Sequence, residues 1–323
     1  MKDKLIVVCG GGGFIGGHLV ADLRRQGFTR IRSVDRKPIK DWYQFFPDAD
    51  NRVLDLQQKQ ACYDALQGAV VVYNLAADMG GMGFIEHNRA LCMLSVLINT
   101  HLLEAAKDIG VERFFYASSA CVYNADKQRD ENVTALKEED AYPGMPEDGY
   151  GWEKLFSERM CRHFREDFGV LTRVARYHNV YGPHGTWDGG REKAPAALCR
   201  KIARAKSADT IEMWGDGMQT RSFLYVDECV EGTLRLARSN VTTPINIGSD
   251  EMVTINGLAA MIADIAGKRI DIHHIPGPQG VRGRNSDNRL IREKLNWAPS
   301  RPLVAGLEKT YGWIEQQVMR NSL

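Results

Sequence analysis

Residues 5–17 read LIVVCGGGGFIGG, and this stretch decides the fold. Leu5–Cys9 is a continuous apolar run, which predicts a strand buried on both faces of a parallel sheet. The glycines that follow it, and the apolar periodicity after them, predict a tight loop that opens a helix. Glycines in such a loop let the backbone approach a pyrophosphate, whose charge is met by the helix N-terminus. The residues predicted to bind the dinucleotide here are Gly10, Gly13, Phe14, Ile15 and Gly16.

Downstream of this loop, predicted strands alternate with predicted helices. The further strands before residue 177 are predicted at 31–34, 53–56, 70–74, 113–117 and 171–176. Long helices are predicted for 91–109 and 148–167, and the charged segment 125–147 between them is expected to be mobile. The alternation predicts an α/β fold, a Rossmann-type doubly wound parallel sheet with a smaller, discontinuous C-terminal α/β substrate domain.

The composition of the sequence changes after residue 176, where turn-forming residues become frequent. We assign residues 1–176 and about 221–250 to the dinucleotide-binding domain, and about 177–220 and 251–323 to the substrate domain. Arg221–Tyr225 is expected to return to the main sheet.

Two aspartates are candidates for the adenosine end of the cofactor. Asp35 follows the second strand, at the distance where an acid binds the adenosine ribose hydroxyls. An acid there favours NAD over NADP, although Arg36 beside it could instead accept a 2′-phosphate. Asp55 is expected to close the third strand and border the adenine pocket, or else to be an ordinary turn aspartate. NAD is therefore the predicted cofactor.

A tyrosine and a lysine are predicted to share one face of the helix 148–167. Tyr150 and Lys154 are four residues apart, so the ammonium can lie near the phenol and favour its ionised form. Such a phenol could take a proton from a substrate hydroxyl whose carbon gives up a hydride to a nicotinamide. Ser119, at the carboxyl end of the fifth strand, is expected at the edge of the sheet where ligands bind.

Composition excludes several classes of function. With 42 Lys plus Arg and 41 Asp plus Glu, the net charge is +1, so no concentrated basic field for nucleic acid or a membrane surface is expected. The apolar run at the N-terminus is too short for a signal sequence or a membrane span. Seven scattered cysteines without a C-x-x-C pair predict reduced thiols in a cytoplasmic protein. No metal site is predicted.

The glycine triplet, Ser119 and the pair Tyr150 and Lys154 resemble the nucleotide-sugar branch of the extended short-chain dehydrogenase/reductase family. The resemblance covers essentially the whole chain. Within this branch, the sequence resembles the GDP-mannose 3,5-epimerases most specifically. Four runs carry it: AADMGGMG at 76–83, SSAC at 118–121, GGREKAPAA at 189–197 and GVRGRNSDN at 280–288. It implies epimerisation of GDP-mannose at C3 and C5, to GDP-L-galactose or GDP-L-gulose, by transient oxidation at C4 with bound NAD.

The resemblance also implies residue roles. Cys121 and Lys193 correspond to the acid/base pair that inverts the sugar carbons, while Tyr150, Lys154 and Ser119 serve oxidation at C4. Cys121 is expected to be the base and Lys193 the acid, because a thiol near cations ionises and an ammonium remains a donor. A homodimer through the helices at 91–109 and 148–167 is the family habit. The implied substrate-binding residues are Gly80, Ser119, Cys121, Asn179, Glu192, Lys193, Ala194, Lys201, Gln219, Arg221 and Arg284.

Other functions share the fold and the cofactor. A 4,6-dehydratase needs an acid pair where this chain has Ala120 and Cys121. A simple 4-epimerase needs only Tyr150 and Ser119, so the thiol of Cys121 would be superfluous. A non-catalytic NAD(H) sensor can lose the Tyr and Lys pair, which this chain keeps. Arg282 and Arg284 in the basic loop are consistent with phosphate capture or with a charged surface turn.

Overall fold

The computed structural model describes residues 2–321, and strands alternate with helices along the first half of the chain as predicted. The strands are β1 (Ile6–Cys9), β2 (Ile31–Asp35), β3 (Asp50–Val53), β4 (Val71–Asn74), β5 (Arg113–Ser119), β6 (Thr172–Tyr177), β7 (Val180–Tyr181), β8 (Thr210–Trp214), β9 (Thr220–Ser222), β10 (Leu224–Tyr225), β11 (Ile245–Ile247), β12 (Met252–Thr254), β13 (Asp271–Ile275) and β14 (Gly283–Arg284). The α-helices are α1 (Phe14–Arg25), α2 (Lys59–Leu66), α3 (Met82–His87), α4 (Arg89–Met93), α5 (Ser95–Ile109), α6 (Asp148–Phe168), α7 (Ala194–Arg204), α8 (Val226–Arg238), α9 (Ile255–Ala266), α10 (Arg289–Leu295) and α11 (Leu303–Asn321).

Seven strands form one parallel sheet in the order β11-β6-β5-β4-β1-β2-β3. The chain first winds outward from β1 to β3, then crosses over to β4 and winds the other way. Between β1 and β4 the connections leave on opposite sides, which opens a crevice at the carboxyl ends of the strands. The prediction of a doubly wound sheet is confirmed.

Strand β1 shows why an uninterrupted apolar run is needed at the centre of this sheet. Its side chains alternate between the two faces, because successive residues of a strand point to opposite sides. Ile6 and Val8 enter the core that includes helices α1 and α8, whereas Val7 and Cys9 enter the core that includes α2, α5 and α6. All four are buried, so both faces of the strand exclude water.

The remainder of the chain adds three small sheets, in the orders β10-β7, β12-β9-β14 and β13-β8. Helices α7, α9 and α11 pack on one another beside them. The division into two domains at the boundaries given above remains a prediction.

Three local predictions are wrong. Arg221–Tyr225 does not return to the main sheet, because β11 already lies beside β6; β9 pairs instead with β12 and β14. The third strand ends at Val53, so Asp55 lies in the turn after it, where its carboxylate accepts the backbone N–H of Gln57 at 3.1 Å. The helix predicted at 91–109 is divided at Leu94 into α4 and α5.

The charged segment 125–147, which is expected to be mobile, is anchored to the rest of the protein at several points; its mobility remains a prediction. Gln128 and Leu136 are buried, and the backbone of Leu136 bonds to Asn285 of the basic loop at 3.0 Å. Arg284 of that loop donates to the side chains of Gln128 and Glu147. Charged composition did not reveal these contacts, which come from a distant segment of the chain.

By length and composition alone, Arg89–Ile109 is apolar enough to cross a membrane. In the structure α5 packs between α2 and α6, and Ile98, Leu102 and Leu103 are buried there. Core packing therefore accounts for much of the apolar character of this segment.

A buried histidine at the end of β6 makes stability depend on pH. Burial lowers the pKa of His178 from 6.5 to about 3, although its Nε2 shares a 2.9 Å hydrogen bond with Asn246 Oδ1. Because the folded state binds fewer protons than the unfolded state between these values, stability present above pH 6.5 is lost as pH falls toward 3.

We expect His178→Gln to flatten this loss by up to about 1.4 kcal/mol per pH unit, measured by urea unfolding at a series of pH values. His87 is exposed, so His87→Gln should leave the slope unchanged. Equal slopes in wild type and His178→Gln would contradict the assignment.

Candidate active site

A cavity of about 510 Å³ lies at the carboxyl ends of the central strands. Its position, at the crevice between β1 and β4, is where doubly wound sheets bind ligands. The structure brings together here all the residues predicted to bind the cofactor: Gly10, Gly13, Phe14, Ile15, Gly16, Asp35, Asp55, Tyr150 and Lys154.

The glycine loop turns tightly between β1 and α1. Gly13 N–H donates to the carbonyl of Gly10 at 3.0 Å, and Gly10 has a φ of +84°, which favours glycine. A Cβ on Gly16 would lie 2.0 Å from the Gly10 oxygen, so only glycine lets the first turn of the helix sit against the loop. This close packing leaves the helix N-terminus open to a pyrophosphate, and the loop therefore fits a dinucleotide.

Gly16→Ala is expected to weaken NAD binding at least about 100-fold, because the loop must move to relieve the clash with backbone atoms. Titration calorimetry would measure the dissociation constant. Gly312→Ala is the control, since no atom lies within 4 Å of the added methyl group in helix α11. Unchanged NAD binding by Gly16→Ala would show that the loop does not hold the cofactor.

Tyr150 and Lys154 lie on one face of α6, at the wall of this cavity. The Lys154 ammonium is 5.6 Å from the centre of the Tyr150 ring and donates to the carbonyl of Ala117 at 3.1 Å. Glu153, which sequence analysis did not single out, places a carboxylate oxygen 3.7 Å from the same ammonium. Both Glu153 and Lys154 are buried, so they form an internal ion pair behind the tyrosine.

The expectation that Lys154 lowers the pKa of Tyr150 is wrong for the protein alone. Burial raises the pKa of Tyr150 well above its usual 10, and the charges of Cys121 and Glu153 act in the same direction. The hydrogen bond with Ser119 acts in the opposite direction. The physical reason is that the low-dielectric wall disfavours a phenolate, while Glu153 offsets the positive charge of Lys154.

A second cavity of about 290 Å³ adjoins the first. Ser119, Tyr150 and Lys193 line both cavities, so they mark the junction between them. The structure brings together in the second cavity all the residues predicted to bind the substrate: Gly80, Ser119, Cys121, Asn179, Glu192, Lys193, Ala194, Lys201, Gln219, Arg221 and Arg284.

Cys121 lies two residues beyond the serine at the end of β5. Its backbone N–H donates to Ser119 Oγ at 3.2 Å, and Arg284 Nη1 donates to its sulfur at 3.5 Å. A Cβ on Gly151 would lie 2.3 Å from the carbonyl oxygen of Cys121, so a glycine next to Tyr150 lets helix α6 approach this turn. The tyrosine and the thiol are thereby held at one corner of the site.

Lys193 lies at the N-cap of α7 and lines the same cavity as Cys121. Burial lowers its pKa from 10.5, and the charge of Cys121 acts in the opposite direction. A lysine with a lowered pKa gives up its proton more readily, as a proton donor must.

The glycine-rich loop after β4 supports the segment that carries Lys193. Gly81 N–H donates to the carbonyl of Arg191 at 3.0 Å, and a Cβ on Gly81 would lie 2.5 Å from the carbonyl oxygen of Glu192. Glycine at position 81 therefore lets this loop lie directly against the backbone of residues 191–192. The prediction that Gly80 lies close to a ligand is separate from this packing role.

The arginines in and near the second cavity have different partners. Arg284 forms an ion pair with Glu147 at 2.9 Å, a partner in the segment that was expected to be mobile. Arg221 donates to the carbonyls of Gln279 and Val281, and so fixes the basic loop; burial lowers its pKa to about 10. Arg282 forms ion pairs with Glu131 and Asp216 rather than serving the cavity.

Some polar groups of the cavity are engaged and others are open. Lys201 donates to the carbonyl of Glu212, and Asn179 donates to that of Ser222 at 3.0 Å. Gln219 is buried, yet its Oε1 has no partner in the described structure. A buried acceptor of this kind is costly unless a ligand donates to it. Within residues 2–321, no three His, Cys, Asp or Glu side chains form a group that could hold a metal ion.

Comparisons with known proteins show the family to which this chain belongs. Residues 6–248 match the NAD dependent epimerase/dehydratase family. A GDP-mannose 3,5-epimerase of Arabidopsis thaliana is 51% identical, with 98% of this chain and 84% of that protein covered. GDP-mannose 3,5-epimerase 1 of Oryza sativa subsp. japonica is 52% identical, with 98% and 83% covered.

Solved structures with the same fold include two 4-epimerases. A UDP-glucose 4-epimerase from Thermotoga maritima, with UDP-glucose, is 25% identical with a TM-score of 0.85, over 98% of this chain and 100% of that chain. A UDP-glucuronic acid 4-epimerase from Bacillus cereus, in complex with UDP-glucuronic acid and NAD, is 26% identical with a TM-score of 0.84, over 97% and 100%. The chain therefore belongs to the NAD dependent epimerase/dehydratase family, and within it to the GDP-mannose 3,5-epimerases.

Proposed function

We propose that this enzyme epimerises GDP-mannose at C3 and C5, giving GDP-L-galactose, GDP-L-gulose or both, with bound NAD. The observation that carries the proposal is that Cys121 and Lys193 line the cavity shared by Ser119 and Tyr150. Identity above 50% to curated enzymes of this activity supports the same substrate.

The glycine loop would hold the pyrophosphate of the cofactor, and Asp35 and Asp55 would bind its adenosine end. Bound NAD supplies reversible removal of hydride from C4 of the sugar. Tyr150 takes the proton of the C4 hydroxyl, and Lys154, buried behind it, favours the phenolate against the cost of burial. Ser119 donates a hydrogen bond to the C4 oxygen.

The two stereocentres lie next to the C4 ketone, and this makes their hydrogens acidic. Cys121 removes one proton, and the resulting enolate oxygen is stabilised by Ser119 and Tyr150. Lys193 then delivers a proton to the opposite face of the same carbon. Return of the hydride to C4, with Tyr150 giving its proton back to the C4 oxygen, would restore the oxidation state of the substrate. Arg284, 3.5 Å from the sulfur, stabilises the thiolate and holds the nucleotide diphosphate together with Lys201, Asn179 and Gln219.

The test is incubation of the protein with GDP-mannose in deuterated water. Deuterium at C3 and C5, read by NMR and mass spectrometry, is the expected result. A product inverted at C4 without deuterium at either carbon would support a 4-epimerase. Loss of water from the sugar would support a 4,6-dehydratase, and tight NAD binding without turnover would support a non-catalytic sensor.

We also propose a homodimer formed through α4, α5 and α6. Helices α5 and α6 pack side by side. Together with α4, and with Leu94 between α4 and α5, they expose Met93, Leu94, Leu97, Trp152 and Phe156. Phe156 is 56% exposed, and clustered apolar side chains of this size favour a protein interface.

Phe156→Glu is expected to give monomers in analytical ultracentrifugation, because a dimer would bury two uncompensated carboxylates. Phe168→Glu is the control, since Phe168 is equally exposed at the far end of the same helix. A wild-type monomer would refute the proposal.

A cytoplasmic location is proposed as well, supported by seven cysteines that are all unpaired.

A further inference from the structure

Asp78 holds two arginines at the border of the cofactor cavity. Its carboxylate is 3% exposed and accepts both terminal nitrogens of Arg36, at 2.8 and 2.5 Å. Arg191, from the segment that carries Lys193, approaches the same carboxylate at 3.5 Å. The backbone N–H of Asp78 donates to Ser95 Oγ at 2.9 Å, so the turn that presents the carboxylate is itself fixed.

Arg36 stands where its charge matters for the choice of cofactor. It follows Asp35 directly, and an arginine near this acid can accept the 2′-phosphate of NADP. Its guanidinium is about half exposed and lines the cavity together with Asp35. A bidentate pair uses the two N–H groups that would otherwise form a fork for a phosphate.

The neighbouring cation is engaged in a similar way. Lys37 Nζ donates to the carbonyl of Gly12 at 2.7 Å and lies 4.3 Å from the centre of the Tyr43 ring. Both cations beside Asp35 are thus tied to groups of the protein.

An incoming phosphate could recruit Arg36 only by taking it from Asp78. That exchange would leave a buried carboxylate with Arg191 alone, at a longer distance, and an underpaired buried charge is strongly unfavourable. The half-exposed guanidinium can be solvated without Asp78, whereas the carboxylate is only 3% exposed. The position of Arg36 is therefore set by Asp78.

We propose that Asp78 is a specificity residue that selects NAD over NADP by withholding Arg36 from the 2′ position of the adenosine ribose. The inference rests on the proposed use of NAD. The role of Asp78 is separate from that of Asp35. Asp35 binds the ribose hydroxyls, whereas Asp78 prevents Arg36 from binding a 2′-phosphate.

The test compares dissociation constants of NAD and NADP by titration calorimetry, without any turnover. Because Asp35 itself repels a phosphate, the comparison is made in Asp35→Ser and in Asp35→Ser/Asp78→Asn. The second substitution is nearly isosteric and is expected to tighten NADP binding at least about tenfold, with NAD changed less than about threefold. The gain should shrink as salt is raised, since it comes from a charge pair.

Two further variants separate this effect from a general change of the pocket. Adding Arg36→Ala should abolish the gain, because the cation is then absent. Arg191→Ala in the Asp35→Ser background removes the other partner of Asp78 but leaves Arg36 held, and should give no gain. NADP binding equally tight with and without Asp78→Asn would overturn the proposal, as would a gain that survives Arg36→Ala. Failure of wild type to bind NAD would instead refute the proposed function.

Discussion

Tyr150→Phe is expected to lower turnover about 1,000-fold or more, because general acid and base catalysis is lost while the ring still fills its place. The hydroxyl is the only part removed. Burial raises the pKa of Tyr150, and the hydrogen bond with Ser119 acts in the opposite direction. The measurement is steady-state kinetics with GDP-mannose together with the dissociation constant of NAD. We expect the rate to collapse and NAD binding to change less than about threefold.

Tyr116→Phe is the matched control. Tyr116 is also buried, its ring lies 4.8 Å from the Lys154 ammonium, and its hydroxyl donates to Glu153 at 3.1 Å. It lies outside the proposed chemistry, so most activity should remain. If Tyr116→Phe and Tyr150→Phe lost activity equally, the effect would come from the environment of Lys154 and Glu153 rather than from a proton carried by Tyr150.

Cys121→Ala is expected to stop deuterium exchange at C3 and C5, a loss of at least about 1,000-fold in the exchange rate. The substitution removes the group that is proposed to take the carbon-bound proton, while Tyr150 and Ser119 remain in place. Oxidation at C4 does not need the sulfur, so NAD binding should persist. Cys121→Ser should be nearly as impaired, because a hydroxyl ionises far less readily than a thiol.

Cys92→Ala is the control for thiol chemistry in general. Cys92 is fully buried and clusters with Ile85 and Tyr150, close to the site but without a place in either cavity among the residues described. We expect it to exchange at a rate within a few-fold of wild type. Normal exchange by Cys121→Ala would remove the thiol from the mechanism and leave the 4-epimerase as the better description.

Local patterns in the sequence were sufficient for the central part of the fold. The continuous apolar run Ile6 to Cys9, which is buried on both faces of the sheet, and the glycine at position 16, where a side chain would clash, are both features of a short segment. A strand that is buried on two faces needs a continuous apolar run, and close backbone approach needs glycine. Both features can be recognised in the sequence without knowing any long-range contact.

The pKa values and ion-pair partners of charged side chains could not be predicted from local sequence in the same way. The spacing of Tyr150 and Lys154 indicated a lowered phenol pKa, but Glu153 and burial reverse it. The two arginines of the basic loop were consistent with phosphate capture or with a charged surface turn, and the structure pairs Arg282 with Glu131 and Asp216. A side chain's charge is evident from the sequence, whereas its partners come from distant segments and its dielectric environment comes from packing.

The sequence by itself determined the doubly wound sheet, the glycine loop and the identities of the groups able to carry protons. Only the tertiary structure decided that Cys121, Lys193 and Arg284, separated by 72 and 91 residues along the chain, line one cavity, and that Asp78 holds Arg36. The reason is physical: hydrophobic periodicity and turn chemistry act over a few residues, but a cavity and an ion pair exist only where separate segments are brought into contact.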